Sequence, residues 1–332
     1  MIGHTKGHVT SQGYVLSELF ASEGYKTLAI SKLLNRYARL ADISATLIRH
    51  RKDIEIALIE VYSGPAFVVA DVASFVSRRL GYKTILTLHG GNLPAFLQRF
   101  PNWTRRVLDR AHALVAPSEY LAQAVGLNGR AASIISNVID LEAYPYRCRT
   151  RLVPRLFWMR SFHHLYNPAL ALKVAAGLRS EYSDVSLVMA GQDKGLQAKM
   201  QDLASTLGVG DAVRFPGFLN KTSKALEGAR ADIYLNSSHI DNAPVAILEA
   251  SAMGLPVVAT HVGGVACLLQ DGENGLLVPD DDVPAMISAI RRLLHEPRLA
   301  ARLSANGRNL AERSSWQKVR PLWEALLGEI LG

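Results

Sequence analysis

Short runs of apolar, largely β-branched residues alternate with longer helical patterns along this 332-residue chain, and this alternation constrains the fold most. Most runs are almost continuously apolar, as strands are when helices cover both faces of a parallel sheet. The predicted strands are Lys26–Ser31, Ile54–Tyr62, Lys83–His89, Ala113–Ser118, Ala132–Asn137, Arg155–Arg160, Val185–Gly191, Ala212–Gly217, Ala231–Ser238, Pro256–Thr260 and Gly275–Pro279. With helices between them they form right-handed βαβ units, so the pattern predicts an α/β protein with doubly wound parallel sheets.

The predicted strands are numerous enough for two sheets, and the chain is too long for one ordinary core. The apolar pattern lapses into Arg-rich, Pro-bounded sequence at Tyr146–Pro154, as it does at a domain boundary. We therefore predict one domain over residues 1–148 and a second over 149–314. Residues 315–332 read as a terminal amphipathic helix.

The composition is that of a folded globular protein, with 49% hydrophobic and 20% charged residues. No stretch approaches the roughly 20 apolar residues that span a bilayer, and the start lacks the pattern of a signal peptide. The only cysteines, Cys148 and Cys267, have no metal-ligand spacing. We expect a cytoplasmic protein.

The formal net charge of +8 is uneven along the chain. Residues 1–148 hold 17 Lys+Arg and 11 Asp+Glu, a net +6, which leaves +2 for the rest. A basic first half is compatible with peripheral contact to an anionic membrane or an anionic acceptor, and equally with a solubilising surface. Nucleic acid is not an expected partner, because the basic residues are scattered and match no recognition module.

Residues at the carboxyl ends of the predicted strands are the first candidates for a site, because ligands of doubly wound sheets bind there. They include His89 before a Gly-Gly pair, Arg160, Gly191 and the Gly263-Gly264 pair after a strand. Glycines in such loops allow backbone N–H groups to approach a phosphate closely. The chain has neither G-x-G-x-x-G nor G-K-[ST], which argues against a dinucleotide oxidoreductase and a P-loop ATPase.

The most informative block covers residues 231–279 and places two carboxylates around one helix start. Asp241 or Asn242 is expected to cap the helix, with Pro244 in its first turn and Glu249 inside it. An acid amid Ala, Ile and Leu is buried only with partners, and the sugar hydroxyls of a nucleotide are suitable ones. The alternative is that Asp241 serves only as a cap and Glu249 only as a satisfied core acid.

This block resembles the donor-site signature of glycosyltransferase family 4, which has the GT-B fold. Glu249 matches the second acid of that signature, while Asp241 stands where the family usually has glutamate. Further matching positions are Gly254, Pro256, Gly263, Gly264 and Asn274-Gly275. The resemblance implies two Rossmann-like domains facing across a cleft, the first binding the acceptor and the second the nucleotide-sugar donor, with the 315–332 helix crossing back to the first.

The start of the second domain resembles the family with one departure. Arg160 matches, but Tyr166-Asn167 stands where lysine-glycine is common, and Pro168 follows. Together with Asp241-Asn242-x-Pro244, this combination resembles a subgroup of the family. The absent lysine raises the question of how the donor diphosphate is neutralised.

The resemblance implies a retaining transfer without metal or other cofactor, in which Arg160, Asp241 and His89 are the catalytic residues. Arg160 would pair with the diphosphate, Asp241 with hydroxyls of the donor sugar, and His89 with a sugar hydroxyl. Glu249 would bind the ribose. The other implied donor-binding residues are Gly191, Asn242, Ala243 and Pro244, with backbone N–H groups of Gly263, Gly264 and Val265 at the diphosphate. Gly13 and His4 would belong to an acceptor and phosphate loop.

Asp280-Asp281-Asp282 has the D-x-D spacing that holds a metal in other transferases. It directly precedes Val283-Pro284, where a helix should start, so capping explains it and we expect no metal site. The chain begins Met1-Ile2-Gly3-His4, with almost none of the first strand that the family has there. We expect either a very short first strand or a start internal to a longer chain.

The function implied is transfer of a sugar from a nucleotide sugar, UDP- or GDP-linked, to a glycan or lipid-linked acceptor in cell-surface polysaccharide biosynthesis. One alternative is a GT-B sugar-nucleotide epimerase, which would need no acceptor. Another is a non-catalytic nucleotide-sugar-binding protein, which the absent lysine and the short start motivate.

Overall fold

The computed structural model describes residues 10–33, 35–127 and 129–332, which divide into two compact units. The first takes the chain up to Val138 together with Trp316–Gly332, and the second is Ile139–Ser315. The units divide ten residues before the boundary predicted at 148. The reason is local: the Ile139 N–H donates to the Ser314 carbonyl at 2.9 Å, which ties the incoming segment to the second unit.

The first unit is built on a sheet whose described strands are all parallel, in chain order. The strands are β1 (Ile56–Val61), β2 (Lys83–Leu88), β3 (Ala113–Ala116) and β4 (Ser133–Ile134). The helices are α1 (Gln12–Ser22), α2 (Arg36–Arg49), α3 (Phe67–Arg79), α4 (Leu93–Arg99), α5 (Pro101–Leu108), α6 (Glu119–Gly126) and, at the end of the chain, α14 (Trp316–Leu331), with a 3₁₀ turn at Gly64–Ala66.

Both faces of this sheet are covered, which explains the continuous apolar runs. Leu86 and Leu88 of β2 pack into a core with Phe67 of α3. Ile85, on the other face, packs with Trp323 of α14. Neighbouring residues along the strand thus enter different cores, so neither set of positions is left for water.

The predicted strand at Lys26–Ser31 is wrong. The structure describes no helix or strand there, and Lys26, Thr27 and Leu28 are exposed. Ile30 packs partly against a core that contains Ile43 and Tyr82. The apolar stretch is therefore too short to provide a buried strand face, and its backbone pairs with no strand among the described residues.

The second unit contains a larger parallel sheet with described strands in the order β10-β9-β8-β5-β6-β7. The strands are β5 (Arg155–Met159), β6 (Ser186–Ala190), β7 (Val213–Gly217), β8 (Ile233–Asn236), β9 (Val257–Thr260) and β10 (Leu276–Val278). The helices are α7 (Pro168–Arg179), α8 (Gln197–Thr206), α9 (Lys221–Arg230), α10 (Val245–Ala252), α11 (Val265–Leu268), α12 (Val283–His295) and α13 (Pro297–Arg313), with 3₁₀ turns at Leu141–Ala143, His164–Tyr166 and Gly210–Ala212.

The strand order of the second unit reverses between β5 and β8, which pair directly. From β5 the chain moves outward to β6 and β7, then returns to β8 and continues the other way. Phe157 and Trp158 of β5 are fully buried on opposite faces, and the Trp158 indole N–H donates to Ser237 Oγ at 2.9 Å. This fixes the carboxyl ends of β5 and β8 side by side, at the point where such sheets bind ligands.

The helices are short compared with the thickness of a bilayer. The longest described one, α13, has 17 residues. Over the described ranges, no helix has both the length and the apolar character that crossing a membrane requires.

Candidate functional site

The switch point of the second unit holds a buried ion pair. Arg160 follows β5 and Asp241 lies in the loop after β8, with Arg160 Nη2 2.5 Å from Asp241 Oδ2. The two side chains are 16% and 10% exposed. The Arg160 guanidinium also lies over the Tyr166 ring, 4.1 Å from its centroid. This cation–π contact stabilises the position of the guanidinium.

Two opposing effects act on the Arg160 guanidinium. Burial lowers its pKa, but Asp241, the nearby tyrosines and Glu249 raise it, and the net pKa lies above the usual arginine value. The group therefore stays charged at any working pH. Its Nε is buried with no hydrogen-bond partner among the described residues. The structure thus provides a permanent cation at the strand ends.

Asp241 or Asn242 was expected to cap the following helix, but the residue at the N-cap is Pro244. Its Oδ2 accepts from Ser238 Oγ at 3.3 Å and its Oδ1 from the Asn242 N–H at 3.0 Å. Helix α10 begins only at Val245, with Pro244 at the N-cap and no side-chain cap bond. The carboxylate is held by Arg160 and its own turn, so it lies outside the helix start.

Asn242, Ala243 and Pro244 form the turn that links Asp241 to α10, and Asn242 and Ala243 are buried. The turn leaves little room for a neighbouring side chain. The sequence interpretation placed these residues at the donor. In the chain they directly follow Asp241, which pairs with Arg160.

The diglycine pair packs against the backbone of that turn. A Cβ on Gly263, whose φ is +48°, would lie 2.3 Å from the Asp241 carbonyl oxygen. A Cβ on Gly264 would lie 2.0 Å from the Asn242 carbonyl oxygen. The Gly264 N–H donates to the Asp241 carbonyl at 3.0 Å, and the Val265 N–H bonds within its own loop. The glycines therefore allow the two loops to touch, and these two N–H groups are already bonded inside the protein.

Gly191 supports Arg160 from the neighbouring strand end. A Cβ on Gly191 would lie 1.8 Å from the Arg160 carbonyl oxygen, and its φ is +155°. Its N–H donates to the Gly217 carbonyl at 2.9 Å. Only glycine fits this position without moving the backbone that carries Arg160.

Glu249 is buried in α10 with partners, as its apolar surroundings predicted. Its Oε1 accepts from Tyr144 Oη at 2.7 Å, and Lys224 Nζ lies 2.8 Å from Oε1 and 2.9 Å from Oε2. Burial and the adjacent Glu249 carboxylate raise the pKa of Tyr144, so the phenol stays protonated and donates.

Lys224 and Tyr144 were not predicted as site residues. Lys224 belongs to α9, whose mixed charges look like a solvated helix face, and Tyr144 lies 105 residues before its partner in sequence. A lysine on the helix that precedes a buried acid is a sequence signal for such a pair. The signal is weak, because many surface lysines have the same spacing.

A separate cluster in the first unit involves two predicted residues, Gly13 and His89. The Gly13 N–H donates to Glu60 Oε1 at 2.9 Å, and His89 Nε2 lies 3.8 Å from the same oxygen. Tyr62 stacks on the His89 ring with centroids 5.1 Å apart. His4, the other predicted loop residue, lies outside the described residues.

Burial lowers the pKa of His89, and the Glu60 carboxylate partly offsets this by raising it. The net direction is downward, so His89 is neutral at pH 7 and can accept as well as donate a hydrogen bond. Glu60 was missed, although an acid inside the apolar run of β1 is the same signal that identified Glu249.

Gly13 and His89 line a small pocket in the first unit, beside Thr87, Ser136 and Trp323. The pocket opens at the carboxyl ends of β2 and β3, as expected for a ligand site on a parallel sheet.

The helix cap predicted within the aspartate triplet is Asp282. Asp282 Oδ1 accepts from the Ala285 N–H at 2.8 Å and caps α12. Asp281 accepts from Asn167 Nδ2 at 2.8 Å. Within the part of the chain that the structure describes, no three His, Cys, Asp or Glu side chains are grouped as metal ligands.

Two protein-family models match the chain. The model described as "Glycosyltransferase Family 4" matches residues 22–143, and "Glycosyl transferases group 1" matches residues 154–310. A curated relative, the GDP-mannose-dependent alpha-(1-6)-phosphatidylinositol monomannoside mannosyltransferase of Mycolicibacterium smegmatis, is 30% identical over 51% of this chain and 43% of its own. The chain spans about half the length of the curated relatives it matches.

Solved structures give the fold. Sucrose-phosphate synthase from Thermosynechococcus elongatus matches with a TM-score of 0.77 and 16% identity, covering 96% of this chain and 92% of its own. Anabaena HepE in complex with UDP-glucose matches with a TM-score of 0.71 and 20% identity, covering 89% and 84%. The expected GT-B fold is confirmed. With both halves matched by models of one family, this chain belongs to the group 1 glycosyl transferases of glycosyltransferase family 4.

Proposed function

We propose that the protein transfers a sugar, with retention of anomeric configuration, from a nucleoside-diphosphate sugar to a hydroxyl of an acceptor. The observation that carries this is the buried Arg160–Asp241 pair at the switch point of the second unit. A departing nucleoside diphosphate gains negative charge, and a fixed cation in a water-poor site stabilises that charge in the transition state.

Each site residue of the second unit has a distinct role in this proposal. Arg160 contacts the diphosphate through the part of its guanidinium that Asp241 does not use. Asp241 binds hydroxyls of the donor sugar and orients Arg160, while Glu249 binds the ribose. The diglycine pair keeps the Asp241 turn in place. The proposed reaction assigns no step to a metal, because Arg160 supplies the positive charge.

The Gly13–Glu60–His89 cluster is proposed to bind sugar hydroxyls of the acceptor. A neutral imidazole beside a carboxylate can donate to one sugar hydroxyl and accept from another. The proposed acceptor is a glycan or a lipid-linked glycan, with a role in cell-surface polysaccharide synthesis.

The proposed donor carries uridine or guanosine diphosphate. This is supported by the GDP-mannose dependence in the name of the mycobacterial relative and by UDP-glucose bound to the Anabaena protein. A thermal-shift screen of UDP-, GDP-, ADP- and TDP-sugars should give its largest stabilisation with a UDP- or GDP-sugar, since occupancy raises apparent stability. Release of the nucleoside diphosphate should then require an acceptor.

The same assay separates the competing functions. Conversion of the donor to another nucleotide sugar without acceptor would identify an epimerase. Tight donor binding with no transfer to a broad acceptor panel would identify a binding protein. No stabilisation by any nucleotide sugar would contradict all three.

We further propose that the first unit contacts anionic membranes through residues 25–52. This segment contains seven Lys and Arg residues and one acid, Asp42, and it exposes Tyr37 at 68% and Ile48 at 53%. Each basic residue near an anionic surface contributes about 1 kcal/mol. The triple change Lys32→Gln, Arg36→Gln and Arg49→Gln should therefore weaken binding to phosphatidylserine vesicles about 100-fold at low salt.

A matched control removes three exposed charges from the second unit, by Lys199→Gln, Arg298→Gln and Arg313→Gln. Cosedimentation should hardly change for this variant. Equal loss in both variants would mean that net charge alone drives binding, and no binding by the wild type would end the proposal.

A further inference from the structure

Glu249 is the centre of a three-residue network that lies entirely in the second unit. The Lys224 ammonium contacts both carboxylate oxygens, at 2.8 and 2.9 Å, and the Tyr144 hydroxyl contacts Oε1 at 2.7 Å. The Glu249 side chain is 9% exposed and that of Lys224 22%. A carboxylate so buried needs a compensating charge, and Lys224 supplies it.

The network leaves the two oxygens of Glu249 unequal. An ionised carboxylate accepts at about four lone-pair sites, two on each oxygen. On Oε1, Lys224 and Tyr144 take both sites, whereas on Oε2 Lys224 takes one. Counting the contacts of the described residues, Glu249 therefore has one acceptor site left, on Oε2, for a single incoming hydroxyl.

Neither partner is replaceable by a neighbour in this geometry. Tyr144 is 2% exposed and packs in the same core as Ile247 and Leu248, so its hydroxyl is fixed by the ring. Lys221, one turn before Lys224 on α9, reaches a different acid, Asp140, at 2.9 Å in an exposed pair. The network is thus specific to Lys224 and Tyr144.

We propose that Lys224 and Tyr144 are positioning residues that direct Glu249 Oε2 to one ribose hydroxyl of the donor, so that the enzyme recognises ribonucleotides through a single oriented contact. This rests on the proposed donor site. The two residues act through Glu249 and enter no bond-breaking step.

The test measures discrimination between nucleotides by calorimetry, using UDP, or GDP if the screen favours it, with its 2′-deoxy and 3′-deoxy forms. The wild type should bind the ribonucleotide at least about tenfold more tightly than one of the two deoxy forms, because that form lacks the hydroxyl that bonds the charged carboxylate. It should bind the other deoxy form about as tightly as the ribonucleotide. Lys224→Met should bring that ratio close to one. Tyr144→Phe, which removes only the hydroxyl, should lower it about threefold.

Three further variants keep the result interpretable. Lys221→Met makes the same charge change on the same helix and should leave the ratio at the wild-type value. Lys224→Arg should restore part of the ratio. In a Glu249→Gln background, Lys224→Met should have no additional effect on it, because the lysine acts through the acid.

The outcomes separate this inference from the proposed function. If Lys224→Met weakens binding of all three nucleotides equally, Lys224 only stabilises the fold, and the inference fails while the donor site stands. If Lys224→Met does not fold, an unchanged ratio in Tyr144→Phe has the same meaning. If the wild type binds no nucleotide at all, both the donor site and the inference are overturned.

Discussion

Replacing Arg160 with lysine is expected to reduce kcat/KM for sugar transfer by about 10²- to 10³-fold, the range seen when one transition-state charge contact is removed. Lysine keeps the charge, but it loses the planar fork that bonds Asp241 and stacks on Tyr166. The loss should appear mainly in kcat, because the diphosphate is most negative as it departs. Steady-state release of nucleoside diphosphate measures it.

The chain offers a matched control on the same strand. Arg155, at the amino end of β5, also pairs with an aspartate, Asp232, at 2.7 Å, but lies half-exposed and away from the switch point. Arg155→Lys should keep at least about a third of wild-type activity, because lysine keeps the charge opposite Asp232 and the pair lies away from the switch point. Full activity in Arg160→Lys, or equal loss in both variants, would remove Arg160 from the proposed mechanism.

The departure at Tyr166-Asn167 makes this expectation stronger. In place of a lysine, the chain has an aromatic ring under the guanidinium and an asparagine with φ of +41° whose side chain bonds Asp281. The two residues thus hold the loop after β5 and orient Arg160, and they add no second positive charge. In the proposed mechanism, Arg160 therefore carries the charge stabilisation that two cations would otherwise share.

The sequence predicted the sheets of both units well, because buried parallel strands leave an almost continuous apolar pattern. Ten of eleven predicted strands are present, each one to four residues shorter than predicted. The missing one, at Lys26–Ser31, has the right residue types, but its first three residues are exposed. Strand ends were overestimated because a residue such as Ser237 can follow a strand directly and still be buried.

Local spacing also identified the residues at the strand ends, but not their partners. Asp241 and Glu249 were visible from the pattern of one segment. Lys224, Tyr144 and Glu60 were not, since their contacts join residues far apart in sequence or depend on the direction in which a side chain leaves its helix. The prediction for the diglycine pair was also incomplete. Its packing against the Asp241 turn depends on how two loops lie together, which the sequence does not show.

Replacing Gly191 with alanine is expected to cost the second unit about 3 kcal/mol and to abolish donor binding. The added Cβ would lie 1.8 Å from the Arg160 carbonyl oxygen. Gly191 and Arg160 directly follow the β5–β6 pairing, which ends at Met159 and Ala190. The backbone under Arg160 must therefore shift, which disrupts the pair with Asp241. Hydrogen exchange of the β5 and β6 amides should become about 100-fold faster, a measurement that reports on the second unit alone.

Gly195 is the matched control, because it separates steric overlap from backbone strain. It follows the same strand, has a φ of +93° and has no atom within 4 Å of the position of an added Cβ. Gly195→Ala should cost only about 1 kcal/mol, from the left-handed conformation. Its donor affinity should stay near the wild-type value. If Gly191→Ala behaves like Gly195→Ala in both exchange and binding, the close approach of Gly191 to Arg160 does not hold the site together, and the geometry proposed for the diphosphate contact is wrong.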